Sequence, residues 1–504
     1  MSENLLIWSG QDFIHFCLAH SLQQKHDFNL YALVDDVDLG IKKFYNEQKF
    51  VNFSDKWYYY EYVTTNFKKP NLEYLKKIEQ TYNLRIWEIA YSERFFYEDF
   101  YPYHKFSHDE ILYIIEQECK LFEEILDKTD FSFFLTNMIT RHPKLLLYKM
   151  CIAKGIHPLT LETARFGKKF TVSKEIGKIE NSENYTHTVN DLSEKFPNLL
   201  DYLKKYERGT GSVFGISYKV PISKKISALS KFFFKKPRNT NYLNYGKSRT
   251  NLLLHGSRFI GSFRRRSRQS FLDQNAIKSY DKKTPFIYFP LHAEPERELL
   301  LQAPYYSNQI TVITNVAKSL PVGYLLYVKE HPVMIDVNWR PVEYYKQIQN
   351  LPNVKLIHPS VSSLELIQKC ALSVTISGDV GIESAFYGKP TIVFSKTDYS
   401  VLPFVYYVEK PDLLPSLIKT ALSNPVSKKD VGDYIAFTEA NSFNFDEKKY
   451  LLDFNNTFYY AGFLEEQELS LDAMKKFIDQ YSKDFENLAN EHLKKMKNPN
   501  KDEN

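Results

Sequence analysis

Cysteine is scarce in this 504-residue chain: Cys17, Cys119, Cys151 and Cys370 lie far apart and show no CxxC spacing. Neither a disulfide framework nor a zinc knuckle is indicated, and a reducing compartment fits best. No apolar run approaches the roughly 20 residues that span a bilayer. The opening MSENLLIWSGQDF also lacks the basic start and apolar core of a secretory signal. The expectation is a cytoplasmic protein that could lie against the inner face of a membrane without crossing it. Glycine numbers only 17, against 37 Tyr and 38 Phe; together with abundant Lys and Asn this is read as compositional bias, without functional weight. No repeat is visible at periods of about 20 to 50 residues, which excludes a solenoid or propeller. What remains is ordinary globular composition, 43% hydrophobic and 25% charged, so disorder throughout is excluded too.

Acidic residues are missing from one long stretch. Between Glu207 and Asp273 there is none, and 15 Lys and Arg fall there, ending in Arg264, Arg265, Arg266 and Arg268. The formal charge of +5 is therefore local, and the rest of the chain is net negative. Interleaved Phe and basic residues, as in KFFFKK and FRRRSR, suit an anionic membrane surface through 208–272. Nucleic acid is the less favoured partner, and a solvated linker explains the same composition.

The order of patterns predicts an α/β protein. NLLIW at 4–8 reads as a buried strand, DFIHFCLAHSLQQ as a helix, and NLYALVDD at 29–36 as the next strand. Such an order implies parallel strands joined by crossover helices. FSFFLT and IHPLTLE continue the sheet, giving a first Rossmann-like domain over 1–175. A basic helical insert or linker follows over 176–284. PFIYFPL opens a second Rossmann-like alternation of strands and helices over 285–424, and 425–504 is a helical tail.

Three motifs in the second alternation carry chemistry. In SVTISGDVGIESAFYGKPTIVFS, Ser377, Gly378 and Asp379 form a turn at a strand's carboxyl end, and Gly381, Glu383 and Ser384 open a helix. Free N–H groups there favour a phosphate, and Glu383 could accept two hydrogen bonds from a sugar diol. Any α/β turn also needs Gly and a capping residue, and the helix dipole alone favours a first-turn Glu. In YVKEHP, Lys329, Glu330 and His331 leave a strand just before Pro332, which holds His331 extended and aims basic groups at a phosphate. HP recurs at 142, 157 and 358, so its weight comes from the Ser-Gly turn that follows it. In FPLHAEPERE, His292, Glu294 and Glu296 are candidate acid–base groups, against the ordinary explanation of a solvated acidic loop. Ser9, Gly10 and Gln11, at the first strand's end, are candidate cleft residues, as are Pro359 and Ser360 near a nucleotide base. Asp36 and Asp38 match DxD formally, but as turn residues they predict no metal site.

The four blocks FIYFPLHAEPERELL, KSLPVGYLLYVKEHP, VKLIHPSVSSLELIQ and SVTISGDVGIESAFYGKPTIVFS, in this order over about 285–420, resemble the capsular or surface polysaccharide biosynthesis family, which includes bacterial β-Kdo transferases. The resemblance implies a GT-B glycosyltransferase: two Rossmann-like domains facing a cleft, the nucleotide-sugar donor on the second, no obligatory metal and no cofactor. The family's HP motif falls on His331 and Pro332 beside Lys329, its Ser-Gly turn on Ser377, Gly378 and Gly381, and its helix-start glutamate on Glu383. Kdo transferases carry Gln and Asp in the acidic loop where this chain has His292 and Glu296, so the donor CMP-Kdo does not carry across. The expected activity is transfer of a sugar from a CMP- or UDP-activated donor to a surface polysaccharide or lipid-linked glycan. Two alternatives stay open: a UDP-sugar epimerase of the same layout, and a non-catalytic binder of membrane or nucleic acid.

Overall fold

A computed structural model describes residues 3–36, 39–63, 67–97, 104–165, 168–185, 265–279, 283–331, 334, 340–459 and 469–497. Most of the acid-free stretch, Asp38 and Pro332 lie outside these residues. The strands are β1 (Asn4–Ser9), β2 (Asn29–Val34), β3 (Phe53–Tyr58), β4 (Phe133–Asn137), β5 (His157–Thr163), β6 (Lys169–Ser173), β7 (Phe286–Pro290), β8 (Leu325–Lys329), β9 (Val354–Ile357), β10 (Leu372–Thr375), β11 (Thr391–Val393), β12 (Val405–Tyr407) and β13 (Phe443–Asn444).

They form two sheets. The first has the order β13-β6-β5-β4-β1-β2-β3 and the second β12-β11-β10-β7-β8-β9. Every pairing in the second is parallel, whereas β6 runs antiparallel to both β5 and β13 in the first. Strands buried on both faces need continuous apolar runs. Leu5, Leu6 and Ile7 of β1 and Leu326 and Val328 of β8 are fully buried accordingly. Flanking helices start at local signals: Ser107 and Glu110 make a reciprocal capping box for the helix His108–Leu126. The two-lobed GT-B-like layout is met.

The helical end of the chain is present and docks on the first lobe. Phe443 pairs with Phe170, and Phe445 donates its N–H to the Lys168 carbonyl at 2.9 Å. Tyr450, Phe454, Phe477 and Phe485 then join Phe13 and Phe16 in one core. Each such aromatic stabilises by about 1.5–3 kcal/mol on burial, so this return is a substantial part of the lobe's stability. A separate core between the lobes joins Ala164, Ile179 and Tyr185 to Ile382, Tyr399, Tyr434 and Phe437. No described helix is long and apolar enough to cross a membrane.

Candidate functional site at the carboxyl edge of the second sheet

In the second sheet β7 lies between β8 and β10, all parallel, so their carboxyl ends emerge side by side. Two strand spacings amount to about 10 Å. Lys329 and His331, His292, and Thr375 to Gly378 therefore share one edge, as their order along the sequence suggested.

His292 ties this edge together. Its Nε2 lies 3.1 Å from the Thr375 hydroxyl and accepts the Ile376 N–H at 3.3 Å, and its own N–H donates to Gln309 Oε1 at 2.8 Å. Nε2 is thus an acceptor, which puts the ring proton on Nδ1. Burial lowers its pKa to about 3, and His331, Arg340 and Arg165 add to the effect. A neutral, buried imidazole with its lone pair engaged is no general acid or base at neutral pH, so the expected catalytic role of His292 is corrected to a structural one. Glu294 is likewise held, by Gln309 and by Arg340 at 3.3 Å.

Glu296 differs. It is exposed, yet enough protein surrounds its carboxyl to desolvate it in part. This desolvation raises its pKa to about 7; Glu298 and Asp379 add to the rise, and Arg94 and Arg297 oppose it. Arg94 belongs to the first lobe and Glu296 to the second, so the two interact between the lobes. A carboxyl that titrates near neutrality suits proton transfer.

Residues 229–403 match the sequence profile of the family described as Capsule polysaccharide biosynthesis protein. No curated protein matches the sequence. Among solved structures, Thermosulfurimonas dismutans KpsC, described as a beta Kdo 2,7 transferase, is 14% identical with a TM-score of 0.31, covering 74% of this chain and 97% of that one. A KpsC beta Kdo 2,4 transferase of the same organism is 12% identical at TM-score 0.31, with 64% and 87% covered. UDP-GlcNAc 2-epimerase from Neisseria meningitidis, bound to UDP-GlcNAc, is 12% identical at TM-score 0.25, with 87% and 99% covered. Likenesses at this level carry no activity across.

Within the matched stretch, the remaining expected residues divide into two groups. Lys329 reaches the edge of the sheet, but its Nζ donates to Ser363 Oγ at 2.8 Å and it is 3% exposed. His331 is half-buried, and burial lowers its pKa against the pull of Glu330. Glu383 stands partly exposed in the first turn of the helix Val380–Ala385. His331 and Glu383 stay where a ligand could reach them, whereas Lys329 is buried behind them.

Others are held by contacts within the protein. Glu330 is buried against Arg340 and the Tyr345 hydroxyl, so it holds the strand end and offers nothing to a donor. Ser384 is buried, with Oγ donating to the Val380 carbonyl at 2.7 Å. The Ser377 hydroxyl is buried too, 3.4 Å from the Glu298 carbonyl. Gly381 is a packing glycine: a Cβ there would stand 2.5 Å from the Tyr399 hydroxyl oxygen. Gly378 donates its N–H to Thr375 Oγ1 at 3.1 Å and accepts Tyr399 Oη at 2.7 Å, and a Cβ would come within 3.1 Å of His292. The helix after the turn has only six residues, and Asp379 at its start pairs with Arg165 at 2.6 Å. The turn is thus tied up by the protein itself. At the first sheet, Ser9 is buried with its hydroxyl on Tyr45, and Gly10 is buried, so neither lines the cleft. Gln11 is partly exposed and hydrogen-bonds Asp35. Asp36 accepts the Tyr60 N–H at 2.8 Å, which is a structural role.

Two arginines escaped the sequence reading. Arg165, from the first lobe at φ +59°, pairs with Asp398 at 2.5 Å as well as Asp379. Arg297, from the second, pairs with Glu162 at 2.7 Å and donates to the Ile139 carbonyl at 2.9 Å. Each lobe sends one guanidinium into the other. Arg297 sat inside the quoted HAEPERE run, but nothing in the sequence marked Arg165.

Proposed function

We propose that this protein is a glycosyltransferase of the GT-B layout, which moves a sugar from a nucleotide-activated donor to a glycan made in capsule or surface polysaccharide synthesis. The observation that carries the reading is the shared carboxyl edge of β7, β8 and β10, with Glu296 on its open side titrating at about 7. The donor phosphate would lie by His331, whose ring N–H can donate to the leaving group's developing negative charge, with the Lys329 ammonium behind it. Glu383 would take a sugar hydroxyl. Glu296 would take the proton from the attacking acceptor hydroxyl, with Arg94 steadying the carboxylate from across the cleft. The membrane and acceptor contacts expected of 208–272 fall mostly outside the described residues and rest on composition.

Glu296→Gln tests the reading. With CMP-, UDP- and GDP-sugars and a capsule-type glycan, wild type should release nucleotide only when acceptor is present, and the variant should lose about 100-fold or more in turnover. An isomerised sugar nucleotide without acceptor would point to epimerase chemistry instead, and unchanged turnover in the variant would remove Glu296 from the chemistry.

A further inference from the structure

β5 runs parallel to β4, so its last residue, Thr163, lies at the carboxyl edge of the first sheet, and β6 then returns antiparallel to it. Arg165 stands two residues beyond the end of β5, where the chain reverses. Its φ of +59° falls in the left-handed region, which is costly for a residue that carries a Cβ. Glycine or asparagine would take this conformation more readily, so the contacts of the arginine side chain have that cost to offset.

The hydrogen bonds of the side chain all go to the second lobe. Nε donates to Asp398 Oδ1 at 2.5 Å, and Nη1 donates to Asp379 Oδ1 at 2.6 Å and to the Ser377 carbonyl at 3.4 Å. The Tyr399 ring lies under the guanidinium, 5.2 Å from its Cζ, and the Tyr399 hydroxyl donates to the Gly378 carbonyl at 2.7 Å. Arg165 therefore reaches every residue of the Ser377–Asp379 turn, directly or through one ring. Tyr434 donates to the other Asp398 oxygen at 2.8 Å, so the anchor is itself fixed. Burial works against the charge of the guanidinium, but Asp398 and Asp379 outweigh it.

Asp398 alone, being buried, would staple the two lobes. Asp379 differs: its side chain is 54% exposed, and its carbonyl accepts the Glu383 N–H at 2.9 Å. The ion pair from the first lobe thus extends, through one residue, to the glutamate that would take a sugar hydroxyl. A turn whose position is already fixed binds a ligand without first having to be ordered.

We infer that Arg165 is a positioning residue for the donor site: from the first lobe it sets the Ser377–Asp379 turn, and through it Glu383, on the second. The inference rests on the donor reading of this edge given above. It gives a residue outside the matched stretch 229–403 a part in donor recognition.

Hydrogen exchange and calorimetric titration of the full chain test it, with Arg165→Gln, Asp379→Asn, the double variant and the conservative Arg165→Lys. In the first three, amides at 377–383 should exchange about tenfold or more faster than in wild type, while those of β1 and β4 keep their wild-type rates; a merely structural role would loosen both lobes. The CMP-, UDP- or GDP-sugar that binds wild type should bind these variants about tenfold or more weakly. The double variant should bind no more weakly than Arg165→Gln alone, because one pair is broken in each, and Arg165→Lys should recover part of the loss. Thermal unfolding checks that the variants are folded; should Arg165→Gln fail, Asp379→Asn and Arg165→Lys decide. Unchanged exchange in the turn, unchanged donor affinity, or losses that add in the double variant overturn the positioning role only. Wild type that binds no sugar nucleotide overturns the donor reading and the positioning role together.

Discussion

The carboxyl edges of the two sheets differ in how far their titratable side chains open to solvent. On the first lobe the edge is crowded with buried charge that is satisfied within the protein. Glu93 is fully buried; burial pushes its pKa up, but Arg141 and His142 outweigh this and hold it at about 2. His142 bridges Glu93 at 2.6 Å and Glu118 at 3.0 Å, and despite burial those carboxylates keep its pKa at about 9. Asp12 accepts from Asn137 at 2.7 Å, and Asn137 accepts in turn from Lys144. On the second lobe a buried ion pair, Glu330 with Arg340, stands beside neutral groups, His292 with Thr375 and Gln309. Its titratable side chains His331, Glu296 and Glu383 stand partly or wholly open to solvent. Buried charge satisfied within the protein builds a lobe, and side chains that reach an open edge can act on something else. That difference, more than any motif, separates the structural edge from the candidate site.

The largest expected effect breaks the first edge. Glu93→Gln leaves Arg141 and His142 without their shared carboxylate in a buried setting, so urea unfolding should report a loss of about 3–5 kcal/mol. A loss below 1 kcal/mol would mean that the network is not what holds this edge. On the second lobe, Gly381→Ala drives a methyl group against Tyr399, the residue that supports Gly378 and stacks under Arg165. Overpacking of this kind costs about 1–3 kcal/mol, read as a fall in the unfolding midpoint. Acid titration sharpens the comparison further. His292 at about 3 and His492 at about 4 are buried and neutral, with pKa values lowered by burial, while unfolded histidine takes a proton near pH 6.5. Below about pH 6.5 the unfolded chain therefore binds more protons, and stability should fall steadily as pH drops from there towards 3. His142 has the opposite sign: its contribution is present below pH 6.5 and is lost as pH rises through about 9. The smallest effect is Ser384→Ala, which removes one intrahelical hydrogen bond and should cost about 1 kcal/mol or less with nucleotide affinity unchanged.

Much of the layout was legible. Continuous apolar runs marked β1, β2, β4, β5 and the strands of the second sheet from β7 to β11, because strands covered on both faces carry no polar alternation to obscure them. β3, β6, β12 and β13 were missed: FSDKWY and KFTVS are mixed in polarity, β12 and β13 have three residues or fewer, and β3, β12 and β13 lie at sheet edges. The helices of the tail were legible, but their docking was not, since Tyr450 donates to the Asp12 carbonyl across more than 400 residues of chain. At the site, the order of the HP and Ser-Gly blocks located the correct edge. Which way each side chain turns was invisible. Ser384 and Gly381 looked like ligand contacts because the motif is polar, and only the packing of Tyr399 explains the glycine. Arg165 could not be found at all, because its partners Asp379 and Asp398 are some 200 residues away.

Hydrogen exchange of the full chain, with and without nucleotide-sugar, tests most directly whether the second edge is the one that acts. Among CMP-, UDP- and GDP-sugars, one should slow amide exchange at 290–296, at 329–331 and around 375–384, and leave residues 9–12 and 35–36 unchanged. Protection confined to the first lobe's edge, or absent from both with every sugar nucleotide, would contradict it.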